Sequence, residues 1–573
     1  MAPKVIWLFV FVALYWAYCI FWGIKCAQMA KTATDYFISG RQISMWVFVL
    51  AATATSFSGW TFMGHPGLVY RDGFQYAYAS FYAITIPFTG VMFLKRQWML
   101  GKRFGYVTPG EMLADYFRGD AIRILTVVVA LLFSIPYLGL QLRASGFLFN
   151  VLTDGLVDVE VGMWVLSAVV LIYVASGGLR AVAYVDTLQC VLLALGIVIT
   201  GMIALNAAGG FEAMNQGFAK LGASGVGKWK TTPEGYNAYF AIPGVIQWTA
   251  GLGKETPVGG LWTGVMVLTY MFALMGIHSA PAFTMWSFAN NDPKPFATQQ
   301  VWASSFGIGL ILFVFTAFQG MGAHLLGANG AVTAETGMIA SILPDLTANK
   351  QGGLVPHYFN TIGESSPWLV GLLAVCALAA MQSTGAAYMS TAGGMLTRDL
   401  YKRYLNPDAS HATQKLFGRM GVAFIVLAAL VVATFSKDAL VLLGGLAVAF
   451  GFQMWPSLAS VTWFPWMTRQ GVTWGLAAGC LGVIFTENFG TSIAGFFGIE
   501  LGWGRWPLTM HSAFWGMFCN LAVCLPLSMM TQDDAETAHK MKYHNFLREH
   551  ASLSPEKKGL VPVAWAITLL WFF

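Results

Sequence analysis

Apolar stretches long enough to cross a bilayer recur along the whole chain, parted by short polar connections. Taking about 20 apolar residues as the length a helix needs to span hydrocarbon, the pattern predicts spans at roughly 4–26, 45–70, 74–99, 120–151, 160–176, 184–207, 260–288, 300–326, 367–396, 414–436, 438–466, 472–496 and 508–530. The run from about Val5 to Ile24 follows Lys4 but lacks a small-residue exit, so it reads as a retained anchor and not a cleaved signal. A last run, Gly559 to Phe573, begins another span and stops short of a full crossing. The expectation is an all-α polytopic membrane protein.

Two stretches break the pattern. Ala51 to Gly67, AATATSFSGWTFMGHPG, lies inside a span yet carries Thr, Ser, Pro66 and the glycines Gly59, Gly64 and Gly67. In hydrocarbon a weakened helix is tolerated only where it lines a cavity or is buried in protein, and broken helices are how carriers expose carbonyls to cations. Far downstream, Ala380-Met381-Gln382-Ser383-Thr384 places two hydroxyls side by side, with the Ala380 carbonyl nearly on the same face. An alkali cation needs about five or six oxygens to replace its water, and neutral ones avoid a large burial cost. Ala54 and Phe57 could add two carbonyls from an interrupted turn. The competing reading of both stretches is close packing of helices through small residues.

Composition and charge sharpen the picture. The chain is 57% hydrophobic and 10% charged, far from the quarter or so charged that a soluble domain carries. The net charge of +6 sits in short clusters, so it carries no nucleic-acid signal. Arg41, then Lys95, Arg96, Lys102 and Arg103, then Arg180, Lys294, then Arg398, Lys402 and Arg403, then Arg469 fall in alternate connections. By the positive-inside rule these are cytoplasmic and the first residue faces outside. The same alternation makes 531–558, rich in charge, a cytoplasmic surface helix or linker. No Walker loop, HExxH or Ser-His-Asp arrangement stands out, so neither a nucleotide-driven pump nor an enzyme is expected. The seven cysteines lack CxxC spacing and read as small core residues.

Several motifs in this order resemble the sodium:solute symporter family, which includes proline, pantothenate and sugar symporters. They are Thr34-Asp35-Tyr36-Phe37-Ile38-Ser39-Gly40-Arg41, the run from Ser58 to Gly67, Gly177-Gly178-Leu179-Arg180-Ala181-Val182 with Asp186 and Gln189, Ser383-Thr384 leading to Thr397-Arg398-Asp399-Leu400-Tyr401-Lys402, and Trp463 to Gly471. The resemblance implies a leucine-transporter-like core of two inverted five-helix repeats, with one extra helix before it and two or three after. The expected parts are 1–44, a leading helix and cytoplasmic loop; 45–207, the first repeat; 208–259, an outer loop; 260–470, the second repeat; 471–530, extra helices; 531–558, the charged segment; and 559–573, the start of a last helix. Core helices 1 and 6 would be the broken ones, the second through Gly276 and Pro281. The family's sodium site maps onto the carbonyls of Ala54, Phe57 and Ala380 and the hydroxyls of Ser383 and Thr384, making sodium the expected coupling ion. The proline-transporting branch has an acidic residue where this chain has Ser56, so proton coupling stays open and proline is not inferred as the solute. Asp186 would assist ion exit or the inner gate, or else be a carboxylate favoured by a helix N-terminus. Arg41 is either an inner-gate residue or a positive-inside anchor.

Solute in such a fold lies between core helices 1, 3, 6, 8 and 10. The candidates are Ser58, Gly59, Trp60 and Thr61, then Gln141 and Arg143 in core helix 3, Tyr270 and His278 in core helix 6, and Gln453 in core helix 10. An intramembrane arginine usually faces a cavity or a partner and its fork suits a carboxylate, although it can also snorkel. Few charges line these helices, which favours a small organic acid or amino acid over a polyhydroxy sugar. The function implied is sodium-coupled import of that solute by alternating access. The alternative rests on Met99 to Pro109 and Tyr137 to Arg143, which are similar to symporter-like input domains of bacterial sensor kinases; it would need a longer chain. Oligomeric state does not follow from the residues.

Overall fold

The computed structural model of the chain describes residues 2–81, 86–224, 261–326, 343–344, 346, 351–435 and 440–551. The expected last span at 559–573 and most of the outer loop at 208–259 lie outside these residues. Among the described residues the chain is helical throughout, with one isolated β-bridge, between Ile43 and Asn290.

A leading helix, Pro3–Met29, precedes the core. Core helix 1 is Met45–Ser56 followed by Trp60–Asp72, bent by 47°, and core helix 6 is Gly264–Ser279 followed by Pro281–Ala289, bent by 40°. The remaining core helices are Phe74–Phe81 with Ile86–Phe104, Asp120–Leu152, Val159–Ala207, Ala303–Leu326, Pro367–Leu405, His411–Phe435 and Leu440–Phe452 with Trp455–Thr462. Val159–Ala207 serves as core helices 4 and 5, because the chain turns at Gly178 without leaving helical hydrogen bonding. Gly178 has φ 60° and ψ −156°, and a Cβ there would run into the Tyr36 carbonyl. The second of these helices therefore starts earlier than the 184 expected. Beside the turn, the buried Arg180 guanidinium donates to Ser39 Oγ at 2.9 Å and Ser39 O at 2.7 Å, docking the loop before core helix 1.

Threonines start several helices. Thr32, Thr108, Thr263 and Thr468 each accept a backbone N–H in the first turn, and Thr32 forms a full capping box with Asp35. The two broken helices are tied to each other where Ile43 N–H, just before the first, donates to Ala289 O and Asn291 N–H, just after the second, donates to Ile43 O, both at 3.1 Å.

Two accessory helices follow the core, Arg469–Phe485 and Ser512–Met530. The expected straight span at 472–496 is corrected here: the chain bends by 84° after Phe485 and continues as Asn488–Phe496. The charged segment forms a helix, Asp534–Ala551, that docks on the core, with His544 Nε2 2.8 Å from Tyr116 Oη and Tyr543 Oη donating to Asp115 at 2.8 Å.

Candidate ion and solute site

The break in core helix 1 leaves carbonyls without helical partners. Phe57 is extended, with φ −116° and ψ 122°, and its N–H makes the last helical bond, to Thr53 O. The next three amides, which a continued helix would send to the carbonyls of Ala54, Thr55 and Ser56, go elsewhere. Ser58 N–H donates to Thr61 Oγ1 at 3.4 Å, Gly59 N–H to Gln141 Oε1 at 2.8 Å, and Trp60 N–H to Ser58 Oγ at 3.0 Å. Gly59 is needed for this approach, since a Cβ would lie 2.7 Å from Gln141 Oε1.

Core helix 8 comes up against the freed carbonyls. Ser383 Oγ lies 3.1 Å from Ala54 O and 3.2 Å from Ala380 O, and Thr384 Oγ1 lies 3.4 Å from Ala54 O and 3.2 Å from Thr55 O. Residues more than 320 positions apart thus meet in a fully buried cluster of uncharged oxygens, and Phe57 is buried as the extended residue that ends the helix. The Thr55 carbonyl was not foreseen; its only sequence signal is that it neighbours Ala54 in a polar run. Without a cation the hydroxyls donate to the carbonyls, and with one both sets of lone pairs are available to it.

Asp186 reaches the same place from core helix 5. Its Oδ2 accepts from Thr55 Oγ1 at 3.4 Å, and its other oxygen has no partner among the described residues. It sits about two turns into the helix after Gly178, beyond the first turn in which a helix dipole would favour it. On the other side of the break, Ser56 Oγ is 2.9 Å from His278 Nε2, joining the interruptions of core helices 1 and 6.

The expected solute residues divide. Ser58, Gly59, Trp60, Thr61, Gln141 and His278 gather at the break and are buried. Gln141 spends its carbonyl oxygen on the Gly59 amide and its Nε2 on Tyr137 O at 3.1 Å, so it holds the break open. Tyr137, not anticipated, places its hydroxyl 3.3 Å from Ser58 Oγ. Tyr270 lies away from the break, edge-on to His511 with ring centroids 5.2 Å apart. Arg143 is elsewhere: two residues turn a helix by about 200°, so it points away from Gln141 and sits half-buried over Phe147. Gln453 turns outward too, donating to Ala449 O and Ala513 O, while its own carbonyl accepts from Asn520 of the second accessory helix. Arg41 donates to Tyr106 O at 2.6 Å and to Phe288 O, at the end of core helix 6, at 3.3 Å.

Two broken helices joined at their interruptions, with the first of them meeting core helix 8 over buried neutral oxygens, within an inverted-repeat bundle, define the class of ion-coupled secondary carriers with a leucine-transporter-like fold. A profile of the sodium:solute symporter family matches residues 36–479, and the chain belongs to that family. It is a multi-pass membrane transporter and not an enzyme. Among curated relatives, the sodium/proline symporter of Escherichia coli (strain K12) is 26% identical over 82% of this chain and 85% of its own length. The monocarboxylate transport permease protein of Rhizobium johnstonii is 22% identical over 87% and 90%. A solved Na+-coupled sialic acid symporter, bound to substrate in an outward-open state, superposes with a TM-score of 0.68 at 16% identity, covering 93% of this chain and 98% of that one.

Proposed function

We propose that the chain imports a small carboxylate-bearing solute, an organic acid or an amino acid, together with sodium bound by the carbonyls of Ala54, Thr55, Phe57 and Ala380 and the hydroxyls of Ser383 and Thr384. The observation that carries this reading is the diversion of the amides of residues 58–60, which strips three carbonyls of their partners where core helix 8 presents two hydroxyls. A cation there binds both the mobile broken helix and core helix 8, so it stabilises one arrangement of the two and raises solute affinity in it. Asp186, one hydroxyl away through Thr55, offers the ion carboxyl oxygens on its way to the cytoplasm. Arg41 holds the inner mouth through two carbonyls whose release accompanies inward opening.

The solute then sits against Ser58, Trp60, Thr61 and Tyr137, with His278 at the second break. Two relatives are named for solutes of this chemistry, proline and monocarboxylates. The test is a thermal-shift screen of the purified protein with L-proline, L-lactate, pyruvate and neutral sugars, each in sodium and in potassium. A ligand that binds only the folded protein raises its Tm, so a carboxylate should do so and more strongly in sodium. A shift with sugars alone, or equal shifts in the two salts, rejects the reading.

A further inference from the structure

The helix Asp534–Ala551 carries charges along its length, yet the face it lays on the core is buried. Lys540, Tyr543, His544 and Leu547 are each 3% exposed or less. Lysine is almost never fully buried unless paired, and here its ammonium is held by Glu536 and the Met467 carbonyl, over the Phe117 ring at 5.0 Å. The helix bridges three parts of the bundle. Tyr543 packs on Phe104 at the end of core helix 2, with ring centroids 4.6 Å apart. His544 meets Tyr116 of the short helix Pro109–Phe117, and Glu536 accepts from Arg469 N–H at 2.7 Å at the start of the first accessory helix.

Tyr106 is held from both ends by different parts of the molecule. Its hydroxyl donates to Asp115 Oδ2, which also accepts from Tyr543 Oη at 2.8 Å, and the two hydroxyls lie 3.2 Å apart. Its carbonyl accepts from Arg41, whose guanidinium also donates to Phe288 O in the last turn of core helix 6. Those contacts adjoin the two backbone bonds that Ile43 makes with Ala289 and Asn291. Beyond Tyr106, Val107 N–H donates to Glu111 Oε2 at 2.8 Å, and Glu111 Oε1 takes Arg398 of core helix 8 at 2.7 Å. A residue anchored at its ring and at its neighbour's amide presents its carbonyl in one position.

We propose that the helix Asp534–Ala551 is a clamp on the mouth that Arg41 holds. Docked, it anchors Tyr106 and so presents the carbonyl to Arg41, which favours the closed arrangement of the two broken helices. Undocked, it frees Tyr106 and loosens the Arg41 bridge. A two-state element is biased only by contacts that differ between its states, and the Tyr543 hydroxyl on Asp115 is such a contact. The inference rests on Arg41 as the residue that holds the mouth and is independent of which solute is carried.

The experiment is hydrogen exchange on the full purified chain without solute, comparing wild type with Arg41→Ala, Tyr543→Phe, Tyr543→Asp and the double variant Arg41→Ala/Tyr543→Phe. Two reporters lie outside the helix: the amides of Ile43 and Asn291, whose bonds tie the broken helices and whose exchange reads local opening. Losing one hydrogen bond to a charged group should raise exchange at both amides about tenfold in Tyr543→Phe. The rise should be larger in Tyr543→Asp, where a second carboxylate beside Asp115 repels the helix. In Tyr543→Phe the Tm and the exchange of core helix 8 should match wild type, which a general loss of stability would not allow. Arg41→Ala should raise the same two amides, and adding Tyr543→Phe should raise them no further, because the clamp acts through Arg41. Exchange at Ile43 and Asn291 within about twofold of wild type in both Tyr543 variants overturns the inference, as does a further rise on the Arg41→Ala background. If Tyr543→Asp does not fold, Tyr543→Phe decides alone. If Arg41→Ala itself leaves the two amides unchanged, the reading of Arg41 fails and the clamp with it.

Discussion

Replacing Ser383 by alanine tests the ion site most directly. Its hydroxyl is fully buried and lies 3.1 Å from Ala54 O and 3.2 Å from Ala380 O, at the centre of the oxygen cluster. Thr384 cannot take its place, because its hydroxyl is already 3.4 Å from Ala54 O and 3.2 Å from Thr55 O. Removing one neutral ligand from a charged partner in a dry site costs about 1.5–3 kcal/mol on the scale of hydrogen bonds to charged groups. At about 1.4 kcal/mol per factor of ten, half-saturating sodium should rise by about 10–100-fold. Linkage is reciprocal, so solute affinity should fall at low sodium and recover at high sodium. The assay is solute uptake into proteoliposomes across a sodium series, with potassium keeping ionic strength constant. A folded Ser383→Ala protein whose sodium dependence matches wild type within about twofold would show that these oxygens only pack helices together.

Three further outcomes follow from particular contacts. Gln141→Leu frees the Gly59 amide and removes the prop that keeps core helix 1 open; sodium and solute affinities should fall together by about tenfold, read in the same uptake assay. Gly178→Ala places a methyl group against the Tyr36 carbonyl at a left-handed φ, so it should destabilise the fold by more than about 2 kcal/mol, seen as a lower Tm or loss of expression. The third concerns pH. Burial, with the charges of Arg548, Arg96 and Lys540 adding to it, pushes His544 of the helix Asp534–Ala551 down to about 4 from 6.5. A base with a lowered folded pKa takes up protons first when undocked, so docking is strongest above 6.5 and weakens as pH falls toward about 4. Hydrogen exchange at 534–551 should rise over that window in wild type and show a smaller pH dependence in His544→Gln.

Much of the fold could be read along the chain because its causes are local. Spans follow from runs of apolar residues, and the break in core helix 1 from glycines and hydroxyl residues within one span. The pairing of Ala54 with Ser383 followed from the chemistry of a bare cation and from family motifs. What stayed hidden is which way each polar side chain faces. In a membrane the lipid outside and the core inside are equally apolar, so the periodicity that separates buried from wet faces in soluble proteins gives no guide. Gln141 and Arg143 looked alike as intramembrane polar residues, and only the rotation between them sends one to the break and the other away. Gln453 turned toward the accessory helices for the same reason.

The sequence by itself determined a helical membrane carrier and the two stretches that meet at the break in core helix 1, because spanning length and helix breaking are properties of neighbouring residues. Only the tertiary structure decided that Gln141 diverts the Gly59 amide, that Thr55 joins the oxygens, and that His511 arrives beside Tyr270 from an accessory loop. Those arrangements depend on hydrogen bonds between residues tens to hundreds of positions apart, and no local pattern encodes the packing that brings them into range.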